Sequence, residues 1–349
     1  MIKDEIIKDS IQGGWVERMP ESVRPYLRLS RYDRPIGFWL LALPGWIGLC
    51  FAALSTGFVW ADLKWAVLIG VGAIAMRGAG CTYNDIVDRG LDKQVERTAL
   101  RPLAAGTISL KSSWIWLVMQ CLAGLAVLAF FPRLSQIIAV SSIVLVAAYP
   151  FMKRITYWPQ AWLGLTFNWA VLVAYTAKTG TMNLPLFLLY AGLVFWTIGY
   201  DTIYACQDLE DDALIGVKST ARLFGNKVRL GVGACYSLSV VLVILAVFGR
   251  QNEFTYFDGE IVFELGIAIV VVSPFAAHLF HQVKKFNPVN SLNSLILFKS
   301  NRTAAMILIA SHVLIYLFAM VAVFTSSDLR RSTDLQSPNF VITRDMTRL

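Results

Sequence analysis

Two short runs of carboxylates stand out in a chain otherwise poor in charge. The first is Asn84-Asp85-Ile86-Val87-Asp88-Arg89-Gly90-Leu91-Asp92, with Glu96 following; the second runs from Asp201 through Asp208, Glu210, Asp211 and Asp212. Together they hold nine of the 23 acidic residues. Asn84, Asp88 and Asp92 are four apart, as are Asp208 and Asp212, so in a continuing helix each set lines one face. Like charges at that spacing repel, and two such faces set against each other need divalent cations between them. Oxygen donors of this kind suit magnesium, which binds through one or two carboxylates plus substrate phosphates. Basic residues lie among and after the acids: Arg89, Arg97 and Arg101, then Lys153 and Arg154, then Lys218 and Arg222. Acids that hold cations, beside cations that hold an anion, describe a metal–diphosphate site.

Arg77 lies seven residues before Asn84, two helical turns back on the same face and inside an apolar run. A charge at that depth faces the protein interior or a water-filled cavity and is a functional candidate by default. Its expected partner is an anion deeper in the cavity than the diphosphate. Arg34, just before the first apolar run, is a weaker candidate of the same kind. His278 and His281 have no third ligand near them in sequence and read as cavity or packing residues. The five cysteines are scattered without metal or redox spacing. Most read as small apolar side chains.

The elements that must position these groups are membrane helices. The 349 residues are 56% apolar and only 15% charged, with a mean hydropathy of +0.59. An ordinary globular chain carries about 25% charged residues, so a soluble domain is excluded. A helical crossing takes about 20 mainly apolar residues. The runs give nine spans near 36–57, 63–83, 113–131, 135–150, 159–176, 184–203, 228–248, 262–283 and 304–325, with the weakest boundary around Pro132. The expected fold is thus all-α and polytopic, with a polar arm over 1–35, one membrane domain over 36–325 and a polar, disordered tail over 326–349.

Lysines and arginines mark the cytoplasmic side of a membrane protein. The N-terminal arm and the loops 84–112, 150–158, 201–229 and 282–303 hold 22 of the 31 basic residues, and the opposite loops hold Lys64, Arg133, Lys178 and Arg250. Both carboxylate runs therefore sit on the basic side. The tail disagrees, because nine spans place Arg330, Arg331, Arg344 and Arg348 on the far side. The net charge of +8 needs no nucleic-acid partner. The first thirty residues contain Asp4, Glu5, Asp9, Glu17 and Glu21, unlike a secretory signal or an Arg-rich transit peptide. The expectation drawn from this is a bacterial inner membrane, with a mitochondrial one less favoured.

The Asn84-Asp85-x-x-Asp88-x-x-x-Asp92 pattern, with Asp208-x-x-x-Asp212 in a later loop, resembles the UbiA family of intramembrane prenyltransferases. Further wording looks like its 4-hydroxybenzoate branch. It comprises Arg31-Tyr32-Asp33-Arg34-Pro35-Ile36-Gly37, Met76-Arg77-Gly78-Ala79-Gly80-Cys81, Tyr149-Pro150-Phe151-Met152-Lys153-Arg154, Tyr200-Asp201-Thr202-Ile203-Tyr204-Ala205 and Phe298-Lys299-Ser300-Asn301-Arg302. The resemblance covers roughly 24–325. It implies nine helices around a central cavity open to lipid, and transfer of a polyprenyl group from its diphosphate to 4-hydroxybenzoate. Asn84, Asp88, Asp92, Asp208 and Asp212 would hold magnesium and diphosphate; Arg97, Arg101, Lys153 and Arg34 would contact the diphosphate. Arg77 would receive the aromatic acid. Asp88 and Asp208 would be catalytic, and Asp201 is either the proton-abstracting base or a supporting residue. Two other readings stand beside this one: a related transferase for a naphthoate, homogentisate-like or tetrapyrrole acceptor, and a cation-coupled transporter. Transporters place coupling sites at the bilayer midplane in broken helices, whereas these acids lie at span ends on one side.

Overall fold

The protein, described here by a computed structural model, is a bundle of helices. The structure describes residues 14–94, 96–209, 214, 216–251 and 261–334. A short surface helix α1 (Arg24–Leu29) leads into α2 (Ile36–Thr56) and α3 (Trp60–Asp92). After the turn α4 (Glu96–Ala99) come α5 (Leu110–Leu128), α6 (Arg133–Ser141), α7 (Ile143–Ile155), α8 (Pro159–Thr179) and α9 (Leu184–Ala205). The chain closes with α10 (Thr220–Phe224), α11 (Val228–Gln251), α12 (Ile261–Lys285) and α13 (Ser291–Asp334).

Among the described residues eight segments are long and apolar enough to cross a membrane, with α6 and α7 counting as one and α10 and α11 as another. The remaining long helix, α8, has 21 residues and carries Gln160, Asn168 and Lys178. Its polar groups face inward. Asn168 is fully buried and donates to the Leu193 carbonyl at 3.1 Å and the Thr197 hydroxyl at 2.7 Å. This bond ties α8 to α9, and a polar tie of this kind in a membrane bundle is worth about 1 kcal/mol.

Close packing continues through small residues. A Cβ on Gly48 would come within 2.7 Å of the Val171 carbonyl, so only glycine lets α2 approach α8 this closely. On α3 the outward face is apolar instead: Leu63, Val67, Val71 and Ile74 are exposed at helical spacing. That is the pattern of a lipid-facing stripe, with charge kept inside. At the end of the bundle away from the basic loops, Lys178 meets both Asp62 oxygens at 2.6 Å, joining the start of α3 to the end of α8.

Three element boundaries differ from those expected. The expected span 135–150 is interrupted at Ser142, between α6 and α7, although the two together make one membrane-length segment. α3 continues beyond 83 to Asp92, so the carboxylate run is itself helical. α13 starts at Ser291 and runs to Asp334, past the expected tail boundary. Residues 335–349 of the tail and the insert at 252–260 lie outside the described residues.

Candidate active site

The extension of α3 carries its carboxylates into the mouth of a cavity of about 1060 Å³, framed by α2, α3, α7, α9 and α13. Asp85, Asp88 and Asp92 are all buried, Asp88 completely. Buried carboxylates need compensation, and each has cationic partners. Lys153 and Arg154, at the end of α7, both bond Asp88, the arginine at 3.1 Å. Arg101 holds both oxygens of Asp92 at 2.9 Å and reaches Asp85 at 3.3 Å. Arg31 takes Asp85 at 2.9 Å.

The loop after α3 is built to deliver Arg101. Thr98 donates to the Asp92 carbonyl at 2.9 Å, and the amides of Thr107 and Ile108 fold back on the Pro102 carbonyl. Leu103 and Ile108 then bury against Leu29. Arg31 is delivered differently. It has φ of 56°, the left-handed region that costs a non-glycine residue about 1 kcal/mol or more. The neighbouring Ser30 hydroxyl, which accepts from Trp116 and Gln120 at 2.8 Å each, anchors that turn. Desolvation opposes the Arg31 charge, but surrounding negative groups including Asp85 and Asp92 outweigh it and hold its pKa above the ordinary value.

Deeper in the cavity, the Arg77 guanidinium lies over the Phe167 ring, 5.4 Å from its centroid. It occupies the space that a side chain at position 37 would need: a Cβ on Gly37 would lie 2.3 Å from its Nε. Asp201, on the last two turns of α9, lines the same cavity and lies within electrostatic range of Arg77. Tyr200 beside it is fully buried.

Of the residues expected in the site, Arg34, Arg77, Asn84, Asp92, Arg101, Lys153 and Asp201 line this cavity, and Asp88 joins it through Lys153. Asp208 closes the 3-10 turn after α9, so the second run begins at this end of the bundle. The Asp208 and Arg97 side chains and the whole of Asp212 lie outside the described residues. One Arg222 guanidinium nitrogen donates to the Val217 carbonyl, a loop contact. His278 and His281 do not line the cavity. Among the described residues no three metal-ligating side chains converge; each α3 carboxylate is directed at cations instead. Sequence spacing missed Asp85 and Arg31 as partners. Asp85 is one residue off the four-spaced face, and Arg31 reaches it only through the left-handed turn.

A family model described as "UbiA prenyltransferase family" matches residues 41–290. The chain belongs to this family. The relatives of UbiA type include the mitochondrial 4-hydroxybenzoate polyprenyltransferase of Mus musculus, 42% identical over 300 residues that cover 86% of this chain and 76% of that one. The protein of the same name in Arabidopsis thaliana is 40% identical over 265 residues, covering 74% of this chain and 65% of its own length. Among solved structures, a UbiA homolog from Aeropyrum pernix superposes with a TM-score of 0.63 at 24% identity, over 80% of this chain and 98% of that one. A UbiA homolog from Archaeoglobus fulgidus bound to DMAPP and Mg2+ gives 0.60 at 19% identity, over 84% and 99%. These likenesses establish the fold, and with it the expected all-α UbiA architecture.

The mitochondrial relatives correct the expected compartment. A bacterial inner membrane was favoured over a mitochondrial one from the acids in the first thirty residues, yet similar chains are mitochondrial. Helix length and basic-loop bias answer to bilayer thickness and charge, which do not tell the two membranes apart.

Proposed function

We propose that this chain transfers a polyprenyl group from polyprenyl diphosphate to the ring carbon ortho to the hydroxyl of 4-hydroxybenzoate, with magnesium, as an early step of ubiquinone biosynthesis. The observation that carries this reading is the set of buried carboxylates on α3, Asp85, Asp88 and Asp92, with their surrounding cations at a membrane cavity. The relatives in mouse and Arabidopsis named above supply the acceptor.

The donor set fits magnesium. Asn84, Asp88 and Asp92 offer hard oxygen ligands from one helix face at the cavity mouth, and Asp208 and Asp212 are proposed as the facing half. Bound there with the diphosphate, the metal would supply neutralisation of the charge that grows on the leaving group. The chain's own part begins with Arg101, which bonds Asp92 at 2.9 Å, and Lys153, which bonds Asp88. With a metal held by those carboxylates, Arg101 and Lys153 would be free to bind the diphosphate oxygens, with Arg97 and Arg34 proposed beside them. Stabilising that anion lets the allylic C–O bond break, giving a prenyl cation. The cavity walls keep water away, so the cation meets the aromatic ring rather than solvent. Arg77 holds the acceptor's carboxylate. The ring carbon attacks, and Asp201 is the group placed to remove the proton that leaves.

Membranes containing the protein, incubated with labelled 4-hydroxybenzoate and a short prenyl diphosphate, should give a 3-prenylated product with magnesium and none with chelator. Asp88→Asn should abolish it. Consumption of prenyl diphosphate only with a different aromatic would keep the chemistry and remove the acceptor. Failure with every aromatic acid tried would remove the reading.

A further inference from the structure

The cations around the cavity are engaged in different ways: Arg77 lies over Phe167, Arg34 pairs with Asp33, and Lys218 donates to the Ile155 carbonyl. Arg31, Arg101, Lys153 and Arg154 are all engaged with the α3 carboxylates. Lys299 and Arg302, on α13, also line the cavity, but both are exposed and neither forms an ion pair among the described residues. Arg302 lies instead over the indole of Trp39, 5.7 Å from its centroid, and Trp39 is itself a cavity residue.

These two cations sit on a firmly held stretch of helix. Asn301, between them, is fully buried; its side-chain oxygen accepts from the Trp196 indole at 2.8 Å. Its amide nitrogen returns to the Leu297 and Phe298 carbonyls. Phe298 packs on Tyr204 and Tyr200, with centroids 4.4 and 5.8 Å apart. Asp201 lies between those two tyrosines in the chain. The register of α13 is therefore locked to the wall that carries the candidate base, and Lys299 and Arg302 are held at its rim.

We propose that Lys299, Arg302 and Trp39 form an entry subsite for the aromatic acceptor, distinct from the diphosphate cations on α3 and α7. This rests on the reading of the protein as an aryl prenyltransferase. A carboxylate can bind these cations without breaking an existing ion pair, and the acceptor's ring meets an aromatic surface beside them. A diphosphate needs more charge than two exposed side chains supply, and the carboxylate face that would hold its metal is on another wall. The rim collects the acceptor and passes it inward to Arg77. Exposed charges act through the surrounding electrolyte, so their contribution weakens as salt rises.

The test is the double variant K299A/R302A, assayed with each substrate varied in turn. At low salt the KM for 4-hydroxybenzoate should rise about tenfold, with kcat and the KM for prenyl diphosphate unchanged. The charge-preserving exchange K299R/R302K should restore the acceptor KM, and high salt should shrink the difference. Inhibition by 4-hydroxybenzamide, which has the ring without the carboxylate charge, should be the same in both proteins. An unchanged acceptor KM, or an equal rise in the KM for prenyl diphosphate, overturns the proposal. If the wild-type protein makes no product, the functional reading fails, and the rim is then read by direct binding of labelled 4-hydroxybenzoate. Equal binding by wild type and double variant would overturn the subsite as well.

Discussion

The α3 wall and the α13 wall of the same cavity handle charge in opposite ways. On α3 three buried carboxylates are matched by four cations from α7, the loop after α3 and the turn before α2. On α13, Lys299 and Arg302 stand exposed without ion pairs among the described residues. Burial explains the contrast. A carboxylate removed from water is costly unless paired, so the α3 face can only exist with its cations in place. Those cations then cannot take a diphosphate until something else takes the carboxylates. In the proposed reaction a divalent metal would take the carboxylates and so free the cations, which is the physical reason for proposing magnesium at this wall.

The largest expected effect comes from the most buried group. Asp88→Asn keeps the shape but removes the charge that Lys153 and Arg154 oppose, and turnover should fall by about 10³-fold or more. Retained activity at millimolar magnesium would place the metal elsewhere. Arg101→Ala is next. It removes a cation shared by Asp85 and Asp92, so kcat/KM for prenyl diphosphate should drop about 100-fold. Arg101→Lys should recover only part, because the lysine stem is shorter and its ammonium more strongly hydrated than a guanidinium. An equal loss for both substrates would mean that the mutation had merely loosened the wall.

Arg77→Ala should act chiefly on the acceptor, raising its KM about tenfold while leaving the KM for prenyl diphosphate near its original value. If the diphosphate KM moves instead, the depth order of the two subsites is reversed. The smallest effect is expected away from both walls. Asn168→Ala deletes the tie between α8 and α9 and should lower unfolding stability in detergent by about 1 kcal/mol, with substrate constants unchanged once folded protein is counted.

Much of this was legible in the residues. The apolar runs gave the helices, since bilayer thickness dictates their length, and the four-residue spacing of Asn84, Asp88 and Asp92 needed only that the second span continue as a helix. It does so, to Asp92. Arg77 was found by the improbability of a charge in an apolar run. Tertiary partnerships were not legible. Nothing local pairs Arg31 with Asp85, 54 positions away, because that contact depends on a strained turn and on Ser30 being held by Trp116 and Gln120. The interruption at Ser142 was invisible because α6 and α7 form one continuous apolar run, and hydropathy does not register a local break in a helix. Compartment was misread because an acidic N-terminal stretch carries no record of the membrane to which a chain is delivered.

The central claim is that carboxylates and cations on α3 and its neighbours separate when a metal and a diphosphate bind together. Its most direct test is equilibrium binding of a prenyl diphosphate to the purified protein, with magnesium and with chelator, and without an acceptor. The account predicts at least tenfold tighter binding with magnesium, a gain that Asp88→Asn removes. Equal affinity with and without magnesium in the wild-type protein would contradict it, since the diphosphate would then be held by cations that never needed releasing.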